Sequence, residues 1–131
     1  MSFSGDIRNF AKDATEAHNK ITRAATLELF GGVIKSTPVD TGRARGNWQT
    51  AVGTPPTDEL ERDDKSGAQA IAEVEANTPP GAGQQTYMVN NLPYIFALEE
   101  GSSTQAPEGM VRKNVARVQR IVNAAIAKFK V

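Results

Sequence analysis

Three carboxylate groupings in this chain are placed where they could do chemistry. Glu99 and Glu100 are adjacent, Asp63 and Asp64 are adjacent, and Asp40 opens the triplet Asp40-Thr41-Gly42. Paired carboxylates can divide general-acid and general-base work between them. Neighbouring residues on a helical turn point in different directions, so Glu99 and Glu100 do not converge on one substrate. Asp63-Asp64 suggests a calcium loop, but the alternating ligand spacing and the closing glutamate of such a loop are missing, and a solvated loop accounts for the charges. The triplet at Asp40 has the letters of an aspartic-protease motif. That chemistry needs two aspartates sharing a proton between apolar strands, which the residues around Asp40 do not supply. A turn explains the triplet: aspartate accepts backbone hydrogen bonds and glycine takes a positive φ.

The rest of the composition narrows the field further. There is one histidine, His18, and no cysteine, which removes thiolate metal sites, disulfides and most catalytic triads. His18 lies one position off an apolar helical stripe, where a flanking role explains it. No nucleophile–base pair, metal-ligand spacing or phosphate-cradling glycine loop stands out, so neither an enzyme nor a cofactor is expected. Formal net charge is zero, so no bulk field draws the chain to nucleic acid or membrane. No apolar run is long enough to span a bilayer and the start of the chain lacks a signal pattern, which implies a soluble protein. The charge is nonetheless unevenly distributed. Residues 57–100 are strongly acidic, and after Gly101 the chain turns basic, with Arg112, Lys113, Arg117, Arg120, Lys128 and Lys130 against Glu108 alone. Such asymmetry suits head-to-tail contact between copies, or simply two solvated faces of a monomer.

These side chains must be positioned by a single domain, residues 1–131. Apolar residues at Ile7, Phe10, Ala14, Ala17, Ile21 and Ala24, continued by Leu27, Phe30 and Ile34, predict a helix over 4–36. Ser4 is its expected N-cap, and Pro38 stops it. Residues 43–52 read as a strand carrying Trp48, the sole tryptophan and the expected core aromatic. Residues 68–76 alternate, with Ala70, Ala72, Val74 and Ala76 on one side, and read as a half-buried strand; 86–90 read as another. The stretches 53–67 and 78–85, rich in Pro, Gly and charge, are expected to be mobile loops. A short helical turn is expected over 93–100, with Pro93 in its first position and Gly101 as its C-cap, and a last helix over 110–129 carries Val111, Val115, Val118, Val122 and Ala125. The expected fold is α+β: an antiparallel sheet of about three to four strands packed with a long N-terminal helix and a C-terminal helix.

The most unusual stretch is residues 91–112, Asn-Leu-Pro-Tyr-Ile-Phe-Ala-Leu-Glu-Glu-Gly followed by Ser-Ser-Thr-Gln-Ala-Pro-Glu-Gly-Met-Val-Arg. Its two prolines, two glycines and clustered aromatics describe a fixed surface feature. Together with Thr37-Pro38-Val39-Asp40-Thr41-Gly42-Arg43 and Gly46-Asn47-Trp48, it resembles the neck proteins of long-tailed phages, the tail-completion or head–tail joining family that includes the lambda minor tail protein Z. The likeness spans nearly the whole chain and rests on several uncommon motifs in matching order. It departs from the pattern at Glu100, where an aromatic would precede the glycine.

The resemblance implies a structural virion protein that sits between the head-closure ring and the tail terminator, assembles in the host cytoplasm and is retained in the virion. It implies a ring on the order of six or twelve copies, with DNA passing through the lumen without sequence specificity. The residues expected to meet other polypeptides are Asp40, Arg43, Trp48, Pro93, Tyr94, Glu99, Glu100, Gln105, Pro107, Met110 and Arg112. Arg43 is expected to be a buried or interface cation bonded to Glu99. A tail terminator, another minor tail protein, or a small DNA-binding module is the alternative.

Overall fold

The computed structural model describes residues 3–81 and 83–129, with the side chains of residues 3 and 4 excepted. It mixes helix and strand around one long N-terminal helix. That helix, α1 (Phe3–Ser36), has 34 residues and runs about 50 Å. It starts at Phe3; the cap expected at Ser4 falls on a side chain outside the described part. At its C-terminal end the Thr37 hydroxyl donates to the Val33 carbonyl at 2.8 Å, and Pro38 forbids continuation. Only the last third of α1 joins the core: Val33 and Ile34 are buried, with Leu27 and Phe30 packed against them. Ile7 and Phe10 are 54% and 68% exposed, so the first half of the helix projects beyond the body of the domain.

Two adjacent glycines near the end of α1 behave differently. A Cβ at Gly31 would meet nothing within 4 Å, whereas one at Gly32 would collide with the buried Asn114 side chain. Gly31→Ala should therefore gain helix propensity, up to about 1 kcal/mol, and raise the melting temperature. Gly32→Ala should lower it by displacing Asn114. Thermal unfolding of the two variants side by side checks this.

After α1 come α2 (Arg43–Gly46), β1 (Trp48–Val52), α3 (Ala68–Asn77) and β2 (Thr86–Asn90). β1 and β2 form an antiparallel pair with Trp48 opposite Asn90, Thr50 opposite Met88 and Val52 opposite Thr86. This is the whole sheet among the described residues, two strands rather than three to four. Both differences from expectation have local causes. Residues 43–46 are a helical turn, not the start of a strand. Gly42 at φ 90° redirects the chain, Gly46 N–H returns to the Gly42 carbonyl at 2.9 Å, and the Asn47 side-chain amide donates to the Arg43 carbonyl at 2.8 Å. Residues 68–76 belong to a helix, not a strand. Burial falls on Ala70 and Val74, four apart, while Ala72 and Ala76 are exposed. Alanine and glutamate are strong helix formers, and the buried Asp64 carboxylate accepts the Ala70 N–H at 3.0 Å to hold the first turn.

The stretch 53–67 lacks regular structure but does not hang free. Asn47 donates to the Leu60 carbonyl and accepts from the Leu60 N–H, at 2.9 and 2.7 Å, while Gln49 and Asn91 both donate to the Asp58 carbonyl. Arg62 donates to the Gly46 and Trp48 carbonyls and pairs with Glu73 at 3.0 Å. Polar side chains thus anchor a segment too poor in apolar residues to bury itself. In the stretch 78–85, Thr78 is buried, and a Cβ at Gly81 would strike the Asn19 side chain.

The C-terminal part contains α4 (Ile95–Glu99), α5 (Val111–Val115) and α6 (Val118–Lys128). The helix expected over 110–129 is therefore interrupted at Ala116-Arg117. Asn114 is fully buried there; its amide donates to the Met110 carbonyl at 2.7 Å and to Ser36, and its oxygen accepts from Arg117 at 2.8 Å. An asparagine that bonds backbone from mid-helix competes with the helix's own ladder. α6 packs through Ile121 and Ala125, while Val111, Val115, Val118 and Ile126 remain substantially exposed. The core gathers Val33, Ile34, Trp48, Val74, Leu92, Ile95 and Met110.

Candidate functional site

Residues 91–112 have two faces. Turned inward are Leu92, Ile95, Ala106 and Met110, all buried in the chain's own core, with Leu98 packed against them. Turned outward are Pro93, Tyr94, Phe96, Gln105 and Pro107. Phe96 is 78% exposed and Tyr94 45%. On a helical turn, Ile95 and Leu98 share the inner side and Phe96 must point away from it. Pro93 lies two residues ahead of α4 rather than within it. Gly101, at φ 98°, ends α4 in the left-handed conformation expected of a C-cap glycine.

Glu99 fixes the segment onto the last helices. One carboxylate oxygen accepts the N–H groups of Met110 and Val111 at 2.9 and 2.7 Å; the other accepts the N–H and Nε of Arg112 at 3.0 and 3.1 Å. The Arg112 guanidinium also donates to the Glu99 carbonyl. A carboxylate at the open N–H groups of α5 is favoured by both hydrogen bonding and the helix dipole. Partial burial pushes the Glu99 carboxyl up. The bonds from Arg112, Val111 and Met110 outweigh that effect and hold it below the usual glutamate range. Gly109 permits the closure: it sits at φ 80°, and a Cβ there would strike the Glu99 carbonyl and carboxylate.

A second clamp joins this segment to the turn after α1. The Gln105 side chain accepts the Val39 N–H at 2.9 Å and donates to the Val39 carbonyl at 3.2 Å. Between the two lies a shallow groove of about 280 Å³, lined by Asp40, Arg43, Tyr94, Leu98 and Gln105 among others. Four of the expected contact residues, Asp40, Arg43, Tyr94 and Gln105, thus come together on one surface. Arg43 is not bonded to Glu99; its guanidinium pairs with Glu59 at 2.9 Å, and Glu99 is occupied by Arg112. The strand-like run expected at 43–52 would have aimed Arg43 elsewhere; the helical turn of α2 directs it toward the anchored 53–67 stretch.

Other expected contact residues have internal roles. Trp48 is 6% exposed and donates its indole N–H to the Thr37 hydroxyl at 2.8 Å, and Met110 has no exposed surface. Both build the core rather than an interface. Glu100, Pro93 and Pro107 are exposed beside the groove-forming segment. Sequence reasoning missed Phe96 as an outward-facing aromatic; its place between inward-facing Ile95 and Leu98 was the available signal. It also missed Arg45, whose guanidinium donates to the Thr37, Lys65 and Lys35 carbonyls at 3.0, 2.8 and 2.7 Å, closing the C-terminal end of α1.

Among the described residues no cluster of histidine or carboxylate side chains is arranged to hold a metal ion, and no helix is long and apolar enough to cross a membrane. The chain matches no protein-family model, no curated protein and no solved structure.

Proposed function

We propose that this chain is a structural protein of the neck of a long-tailed phage, a ring component joining the head-closure side of the particle to the tail while DNA passes through. The observation that carries this reading is the two-faced segment at residues 91–112. Its inner residues lock it to the core, Glu99 closes it on its own C-terminal end, Gln105 ties it to the turn after α1, and two aromatics remain presented to the outside. Preorganised, exposed aromatics on a rigid support suit protein–protein contact, because little entropy is lost when they are covered. The projecting half of α1, with Ile7 and Phe10 uncovered, adds a second surface of the same character. The resemblance in motif order supplies the neck as the place where such contacts are made.

The test is a Tyr94→Ser/Phe96→Asp variant supplied in place of the native chain during particle assembly. Both side chains are exposed, so unfolding should stay within about 0.5 kcal/mol of native. Joined particles should be lost, with filled heads and completed tails accumulating separately. A normal yield of joined particles would overturn the reading.

A further inference from the structure

A cleft of about 950 Å³ lies between α1, α3 and α6. Six cationic side chains line it (Lys35, Arg45, Lys113, Arg117, Arg120 and Lys128) against two carboxylates, Glu28 and Glu75. Glu28 approaches Arg117 at 3.8 Å; Lys35, Lys113 and Arg120 have no ion-pair partner among the described residues. In a chain of zero net charge this cationic cleft must be balanced elsewhere. The balance is concentrated in the anchored stretch between β1 and α3. There Asp58, Glu61 and Asp63 are exposed and make no salt bridge among the described residues, while Glu59 is engaged by Arg43, which Glu61 also influences through space, and Asp64 is buried. None of these carboxylates lines the cleft. The bonds from Asn47, Gln49, Asn91 and Arg62 tie the acidic stretch to its own side of the domain, so it does not fold back into the cleft of the same molecule.

We infer that copies of this chain meet head to tail, the acidic stretch at 58–63 of one copy seating in the basic cleft of the next. This rests on the reading of the chain as a ring component, and it names the two surfaces involved. The dimensions agree. From Asp58 to Asp63 an extended chain spans about 17 Å, and from Arg117 to Lys128 a helix rises about 17 Å. Because the two surfaces differ, the contact is heterologous and propagates to a ring or a helix of copies rather than stopping at a two-fold dimer.

Charge reversal tests the pairing in the full chain. One variant carries Arg120→Glu/Lys128→Glu in the cleft; the other carries Asp58→Lys/Glu61→Lys in the acidic stretch. All four positions are exposed, and neither variant should lose its fold. At low ionic strength, where screening is weakest, sedimentation should find the native chain associating and each variant alone monomeric. Their mixture should associate again, since each then offers what the other needs. Failure of the mixture to recover overturns the inference. So does a native chain that stays monomeric but retains duplex DNA through the cleft. The absence of native cysteines permits a second readout: Gly31→Cys/Glu61→Cys, with Gly31 on the open cleft wall, should give a ladder of disulfide-linked multimers on oxidation. The single variants should stop at dimers, and no ladder from the double variant overturns the contact. A chain that gives no ladder yet is found in particle necks removes this contact and leaves the neck reading standing. One that gives a ladder but is absent from necks does the reverse.

Discussion

Trp48→Ala should destabilise the domain by about 3–5 kcal/mol, the range for emptying a buried large aromatic site. Folded domains of this kind are stable by only about 5–15 kcal/mol in total, so the variant should be partly unfolded at physiological temperature. The indole is 6% exposed, and its N–H donates to a hydroxyl that itself donates to the Val33 carbonyl. Trp48 thereby ties the start of β1 to the end of α1. Trp48→Phe keeps most of the volume but leaves a small void and loses the hydrogen bond to Thr37, so it should cost about 1–3 kcal/mol, less than Trp48→Ala. Denaturant midpoints of the two variants against native separate the packing contribution from the polar one. Equal midpoints for Trp48→Ala and native would mean that this residue faces a partner, as its place in the motif first suggested.

Glu99→Ala should cost about 3 kcal/mol. Each hydrogen bond to a charged group contributes about 1.5–3 kcal/mol, but four bonds to one carboxylate are not additive. The side chain is also 21% exposed, which lets water replace part of what is lost. The loss should be local: residues 100–112 should exchange amide hydrogens faster while α1 remains protected. The pH dependence follows from the lowered pKa of Glu99. Because the folded value lies below the ordinary 4.5, the contribution of Glu99 is fully present above that pH and is lost as pH falls through the folded value. Unfolding measured from neutral pH downward should therefore steepen in acid for the native chain and be flatter for Glu99→Gln. A Glu99→Gln variant with the native acid slope would remove the latch from the account.

The legible parts of the fold were those whose signal is long or chemically unambiguous. The nine apolar positions read along the first helix announce it, and it runs from Phe3 to Ser36 as its period requires. Gly101 was readable as a cap because few other residues tolerate its φ. The segment at 68–76 misled because alanine at every second position looks like a pleated face. In fact Ala72 and Ala76 are exposed on a helix, where a small side chain carries no information about which face is buried. The part played by Glu99 was hidden for a different reason. Its donors lie 11 to 13 residues away, brought back by a left-handed turn at Gly109 that local pattern does not reveal. Within the site, the Gln105 side chain bonds both backbone groups of Val39 and so ties the turn after α1 to the stretch at 91–112, a pairing 66 residues apart that no local pattern encodes. The partner of Arg43 was not foreseen, because residues 53–67 were expected to be mobile rather than anchored.

The central claim is that the outer face of residues 91–112, carrying Tyr94 and Phe96, is covered by another polypeptide where head meets tail. Imaging of the particle neck at side-chain detail tests it most directly. The account predicts this chain as a ring in the neck, with both aromatics buried against a neighbouring protein. A particle lacking the chain, or a ring in which both aromatics face open solvent, would contradict it.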